Sequence, residues 1–115
     1  MMKYQCNSFN IYEKPNVTKE WLRKNDFHYN HEAEAYFIRF PVHKYKKVVT
    51  LEGEIVVDPE TGGIKIDVFM PNSRDFYPPF YDSKHGNHTP IMREIEKTVN
   101  KKFRKYGIRK RIIFE

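Results

Sequence analysis

Cysteine is almost absent. The single Cys6 in 115 residues cannot close an intramolecular disulfide, so nothing points to an oxidising compartment and the chain is expected in the cytoplasm. Long apolar runs are missing as well. Nowhere do about eighteen apolar residues follow one another, and the start MMKYQCNSFNIY holds no continuous hydrophobic segment, so neither a membrane span nor a secretory signal is read. Gly-rich phosphate loops, a nucleophile elbow and a Ser and His arrangement are also lacking, which makes an enzyme the less favoured class. No repeat, low-complexity tract or linker divides the chain. One domain, residues 1–115, is expected, long enough to bury a core without disulfide or metal.

What is present is pattern. From Lys47 to Met70 the sequence KVVTLEGEIVVDPETGGIKIDVFM places Val49, Leu51, Gly53, Ile55 and Val57 on one side at period two, with Thr50, Glu52 and Glu54 on the other. After DPETGG, Ile64, Ile66, Val68 and Met70 repeat the alternation against Lys65 and Asp67. This is an antiparallel hairpin with one apolar and one solvated face. Gly53 inside its first strand marks a bulge or a bend. Ahead of it, AYFIRFPV alternates Tyr36, Ile38, Phe40 and Val42 against Phe37 and Arg39, and Pro41 ends that strand or puts it at an edge.

The rest of the chain frames this meander. Met1 to Asn16 reads as an extended arm or a short added strand. Thr18 caps a short helix over Lys19 to Asn25, with Val17 and Leu22 at the spacing of a hydrophobic staple. Asn25 to Glu34 is polar and reads as a loop. Residues 71–88 hold Pro71, Pro78 and Pro79 and form a long loop, a length that is often functional. Thr89 and Pro90 open the main helix, Ile91, Met92, Ile95, Val99, Phe103 and Tyr106 form its apolar stripe, and Gly107 with Ile108 closes it. IRKRIIFE returns as a last strand. The fold expected is α+β: helix, three-stranded antiparallel meander, long loop, helix and C-terminal strand, with both helices on one face of the sheet.

Charge is unevenly placed. The net charge is +6, yet Lys97 to Arg111 contains eight Lys or Arg and no acid, which leaves thirteen bases against fifteen acids elsewhere. At about 100° per residue, Arg93, Lys97, Lys101, Arg104 and Lys105 fall opposite the apolar stripe, and Arg109, Lys110 and Arg111 extend the cluster. Such a row suits a nucleic-acid or other polyanion partner, read against a solvated helix face. A second reading is a protein-interaction surface using Phe76, Tyr77, Phe80 and Tyr81 or an exposed sheet edge; loop aromatics of this kind more often tuck under the loop.

Two further constellations are weighed. His28-Tyr29-Asn30-His31 and His85-Gly86-Asn87-His88 repeat an H-x-N-H spacing, but no flanking carboxylate orients the rings and surface histidines are the simpler reading, so no metal or other cofactor is assigned. Arg39, Glu52, Glu54, Lys65 and Asp67 on the solvated face would suit a metal-dependent hydrolase. Opposite charges on neighbouring strands are, however, the ordinary dressing of such a face. No catalytic residue is assigned.

Overall fold

The computed structural model describes residues 9–12, 18–60, 63–81, 89–108 and 112. They form β1 (Phe9–Tyr12), α1 (Lys19–Lys24), β2 (His28–Asn30), β3 (Ala35–Tyr45), β4 (Val48–Asp58), β5 (Gly63–Phe69), the single turn α2 (Pro78–Tyr81) and α3 (Pro90–Lys105). The class is α+β. The strands make one antiparallel sheet in the order β1-β5-β4-β3-β2. None of the described helices is long and apolar enough to cross a membrane.

The sheet extends the expected three-stranded meander on both sides, on one of them by the short added strand allowed for in Met1 to Asn16. β1 adds beside β5, with Phe9 opposite Ile66 and Tyr12 opposite Gly63. β2 forms inside the segment read as a loop and pairs with Ala35–Phe37 of β3. All three β2 residues are exposed, so no apolar alternation announces them. Pairing holds them instead, together with an Asx turn in which Asn30 Oδ1 accepts from Glu32 N at 2.9 Å and Ala33 N at 3.2 Å. A second correction concerns residues 71–88, where Pro78–Tyr81 form a helical turn. The last strand falls mostly outside the described residues, as does the Val17 half of the staple. Ile112 is described. It is buried and held by Asn100, whose Nδ2 donates to Ile112 O at 2.8 Å while its Oδ1 accepts from Ile112 N at 2.7 Å.

The core lies on one face. Tyr36, Phe40 and Val42 of β3, Leu51, Ile55 and Val57 of β4 and Ile64, Ile66 and Val68 of β5 point the same way. Leu22 of α1 and Met92, Ile95, Val99 and Phe103 of α3 pack onto them in a single cluster, so both helices cover this face. Each such side chain contributes roughly 1.5–3 kcal/mol by leaving water. Around the far end of α3 the rings of Trp21 and Phe27 close edge-on against Tyr106, with centroids at 5.9 and 5.1 Å.

Gly53 is neither bulge nor bend. It pairs in regular register with Phe40 and Val68. Its role is space: a Cβ there would stand 2.9 Å from Cε2 and Cζ of Phe40 and 3.1 Å from Cγ1 of Val42. The register shifts fall later, between Pro41 and His43 and between His43 and Lys44. β3 runs past Pro41 to Tyr45. From Ile38 onward it has, among the described residues, a partner strand on the β4 side only.

The β3–β4 turn carries strain. Tyr45 pairs with Val48, and the two residues between them, Lys46 and Lys47, have φ of 50° and 70°. Positive φ at both positions defines a type I′ hairpin, which favours Asn-Gly. An L side chain in this region costs about 1 kcal/mol or more.

Two substitutions test these assignments. Gly53→Ala should destabilise the domain by roughly 1–3 kcal/mol through overpacking against Phe40, read as a lower midpoint in urea with unchanged slope. Lys46→Asn combined with Lys47→Gly should stabilise it by about 1 kcal/mol, raising the same midpoint.

Candidate functional site

The organisation of α3 follows from its sequence. Thr89 Oγ1 accepts from Met92 N at 3.2 Å, and Pro90 occupies the first helical position where no amide donor is needed. At the other end Gly107 takes φ of 73°, Ile108 N donates to Phe103 O at 2.8 Å and Gly107 N to Arg104 O at 3.2 Å. These are the two bonds of a Schellman stop.

Between these ends the helix divides its circumference. Met92, Ile95, Val99 and Phe103 face the sheet. One flank meets β3: His43 Nδ1 donates to Glu94 Oε1 at 3.0 Å, and Lys102 Nζ lies 5.4 Å from the ring centroid of Phe40. The other flank holds Ile112 through Asn100. The outer arc holds Arg93, Lys97, Lys101, Arg104 and Lys105, all exposed and spread over about 120°, with Glu94 among them turned to His43. Among the described residues Lys97, Lys101, Arg104 and Lys105 enter no ion pair. Burial pushes the Lys102 ammonium down from its ordinary value, and the charges of Lys105 and Lys101 push it further. Arg109, Lys110 and Arg111 lie outside the described residues.

The aromatic loop is largely tucked. Phe80 and Tyr81 are buried, Tyr77 packs against the core, and only Phe76, 54% exposed, stands out. Tyr81 has a definite task. Among the described residues β1 reaches only as far as Phe9, opposite Ile66, and Val68 of β5 takes other partners on that side. Its N–H donates to Tyr81 Oη at 3.1 Å and its carbonyl accepts from Tyr77 N at 3.0 Å. Tyr81 Oη in turn donates to Asp67 Oδ1 at 2.8 Å, which is how a buried carboxylate is tolerated there. Burial raises the Tyr81 phenol well above its ordinary value, and the Asp67 charge raises it further.

The solvated face is a set of ion pairs. Arg39 Nε meets Glu54 Oε2 at 2.8 Å, and Lys65 Nζ meets Asp67 Oδ2 at 3.2 Å. His28 and His31 are exposed, each beside an aromatic ring, at 5.7 Å from Phe37 and 4.8 Å from Tyr29. His85 and His88 lie outside the described residues. Among those described, no three His, Cys, Asp or Glu come together as a metal site. A cavity of about 280 Å³ beside β2 is lined by one base, Lys19, and three acids, Glu34, Asp58 and Glu60.

One exposed group went unread in the sequence. Lys44, Tyr45, Lys46, Lys47 and Val48 all stand in solvent at the tip of the central hairpin. The only sequence signal was the short run KYKK, whose position next to α3 no local pattern reveals. Comparison with protein families, with curated proteins and with solved structures finds no match to this chain.

Tyr81→Phe should cost about 1–3 kcal/mol, because it leaves Val68 N–H and Asp67 without their buried partner. A raised phenol pKa means that stability is fully present below about pH 10 and falls as pH rises past it, since the folded state then binds the extra proton. Urea unfolding at pH 7 and 10.5 should show that fall in the parent and a smaller one in the variant.

Proposed function

We propose that this chain is a nucleic-acid-binding module that holds phosphates along the outer arc of α3. The observation that carries the reading is the row Arg93, Lys97, Lys101, Arg104 and Lys105, exposed on one face whose one acid, Glu94, is bonded to His43. From Arg93 to Lys105 the row runs about 18 Å at 1.5 Å per residue, a length that spans several phosphates.

Contacts of this kind neutralise charge and read no base edges, so binding is largely indifferent to sequence and weakens as salt rises. The competing reading, a protein contact through residues 76–81 or a sheet edge, has less to use. Phe80 and Tyr81 are occupied in the core. The open side of β3 carries Pro41, a register shift and Lys44, three features that discourage another strand from adding.

The test is a titration of labelled duplex and single-stranded oligonucleotides by anisotropy across a salt series. Five phosphate contacts on a duplex correspond to a slope of roughly −4.5 in log affinity against log salt. Changing Lys97, Lys101 and Lys105 together to Glu should abolish binding while the melting temperature stays near the parent's, since all three side chains are exposed. Absence of binding at low salt, or binding indifferent to the triple reversal, would turn the assignment to the protein-interaction surface.

A further inference from the structure

The tip of the β3–β4 hairpin combines features that solubility alone does not need. Tyr45 and Val48 face each other across the turn and are each 63% exposed, the largest exposure among the apolar side chains described. Lys44, Lys46 and Lys47 surround them, and among the described residues none of the three is in an ion pair. Lys46 Nζ lies 5.5 Å from the Tyr45 ring centroid, so a cation caps one ring face while most of the side chain remains in solvent. The turn holds two lysines at positive φ where Asn-Gly would be relaxed.

This tip is tied to α3. The His43–Glu94 hydrogen bond joins the base of the turn to the first helical turns, and Lys102 over Phe40 continues the contact in the opposite sense along the two elements. α3 therefore runs antiparallel to β3. The hairpin tip lies two residues, about 7 Å of strand, beyond the end at which Arg93 begins the basic row.

We propose that Tyr45 is a base-stacking platform and that Lys44, Lys46 and Lys47 hold the flanking phosphates, which makes single-stranded nucleic acid the preferred ligand of this module. The occupant follows from the chemistry of the patch. A phenol ring flanked by ammonium groups offers a π-face to an unpaired base and cations to the backbone on either side, and a duplex keeps its base faces stacked within itself. The proposal rests on the phosphate-binding role of α3 and adds to it a choice of strandedness.

The experiment compares a labelled oligothymidylate 12-mer with a 12-base-pair duplex at low salt, using the parent, Tyr45→Ala, Tyr45→Phe and the Lys97, Lys101 and Lys105 reversal. Tyr45→Ala should lower single-strand affinity about tenfold and leave duplex affinity within about twofold, with Tyr45→Phe close to the parent. The Lys46→Asn, Lys47→Gly variant should also bind the single strand more weakly although its fold is more stable, which separates binding from stability. If the parent binds and the helix reversal abolishes it while Tyr45→Ala changes nothing, the platform is refuted and the role of α3 stands. Equal losses on both ligands from Tyr45→Ala, or unchanged binding in the turn variant, also refute it. If the parent binds neither ligand, both readings fall together.

Discussion

β4 has a hydrogen-bonded neighbour on each side, and its side chains alternate between a face packed under α1 and α3 and a face of ion pairs. Its two registers are therefore linked. A slip of one residue against either neighbour would send Leu51, Ile55 and Val57 to the charged face and bring Glu52 and Glu54 into the core. Gly53 reinforces that parity, because the Phe40 ring lies where any side chain at this position would stand. The polar face inherits the same register. Arg39, Glu54 and Asp67 stand opposite one another across three strands, so the alignment that buries Ile55 also sets Arg39 against Glu54.

How much of this the sequence disclosed depends on whether the signal is local. Alternation in β3, β4 and β5, and the Thr89-Pro90 and Gly107 ends of α3, are carried by residues a few positions apart, and they were legible. β2 was not, since its three residues are exposed and owe their geometry to Ala35–Phe37. The Lys46-Lys47 turn has none of the residues that its dihedrals favour. The basic arc of α3 could be placed by angular spacing alone. The direction of α3 along β3 depends on His43 meeting Glu94, 51 positions apart, and no periodicity encodes that. The loop aromatics show the same boundary. Their tendency to tuck was readable, but the choice of Tyr81 for the Val68 amide depends on where β1 ends.

The sheet treats its two sides differently. Along β5, past the end of β1, the segment from Met70 to Tyr81 folds back: Tyr77 N donates to Val68 O, Phe76 bridges Phe69, and the Tyr81 hydroxyl takes the remaining amide. That edge is covered. Along β3, past the end of β2, the described residues offer Pro41, which lacks a donor, then a shifted register and Lys44. That edge is blocked rather than covered, by devices that cost little and stop a foreign strand from pairing.

The charge on α3 is hard to derive from folding alone. Cations near the C-terminal end complement the helix dipole, which accounts for Lys102, Arg104 and Lys105. It does not account for Arg93 and Lys97, which stand in the first half of a helix with no acid in its first turn. Spacings of four place Arg93, Lys97, Lys101 and Lys105 in succession, and each like-charged neighbour costs roughly 0.2–0.5 kcal/mol where an alternating acid would contribute as much. Glu94 and Glu96 do lie on α3: Glu96 falls to one side of this row, while Glu94 falls within it, between the directions of Lys101 and Lys105, and is engaged with His43. The one acid on the outer arc is thus held by β3. On the nucleic-acid reading proposed above, this row is matched to a ligand that brings negative charge with it.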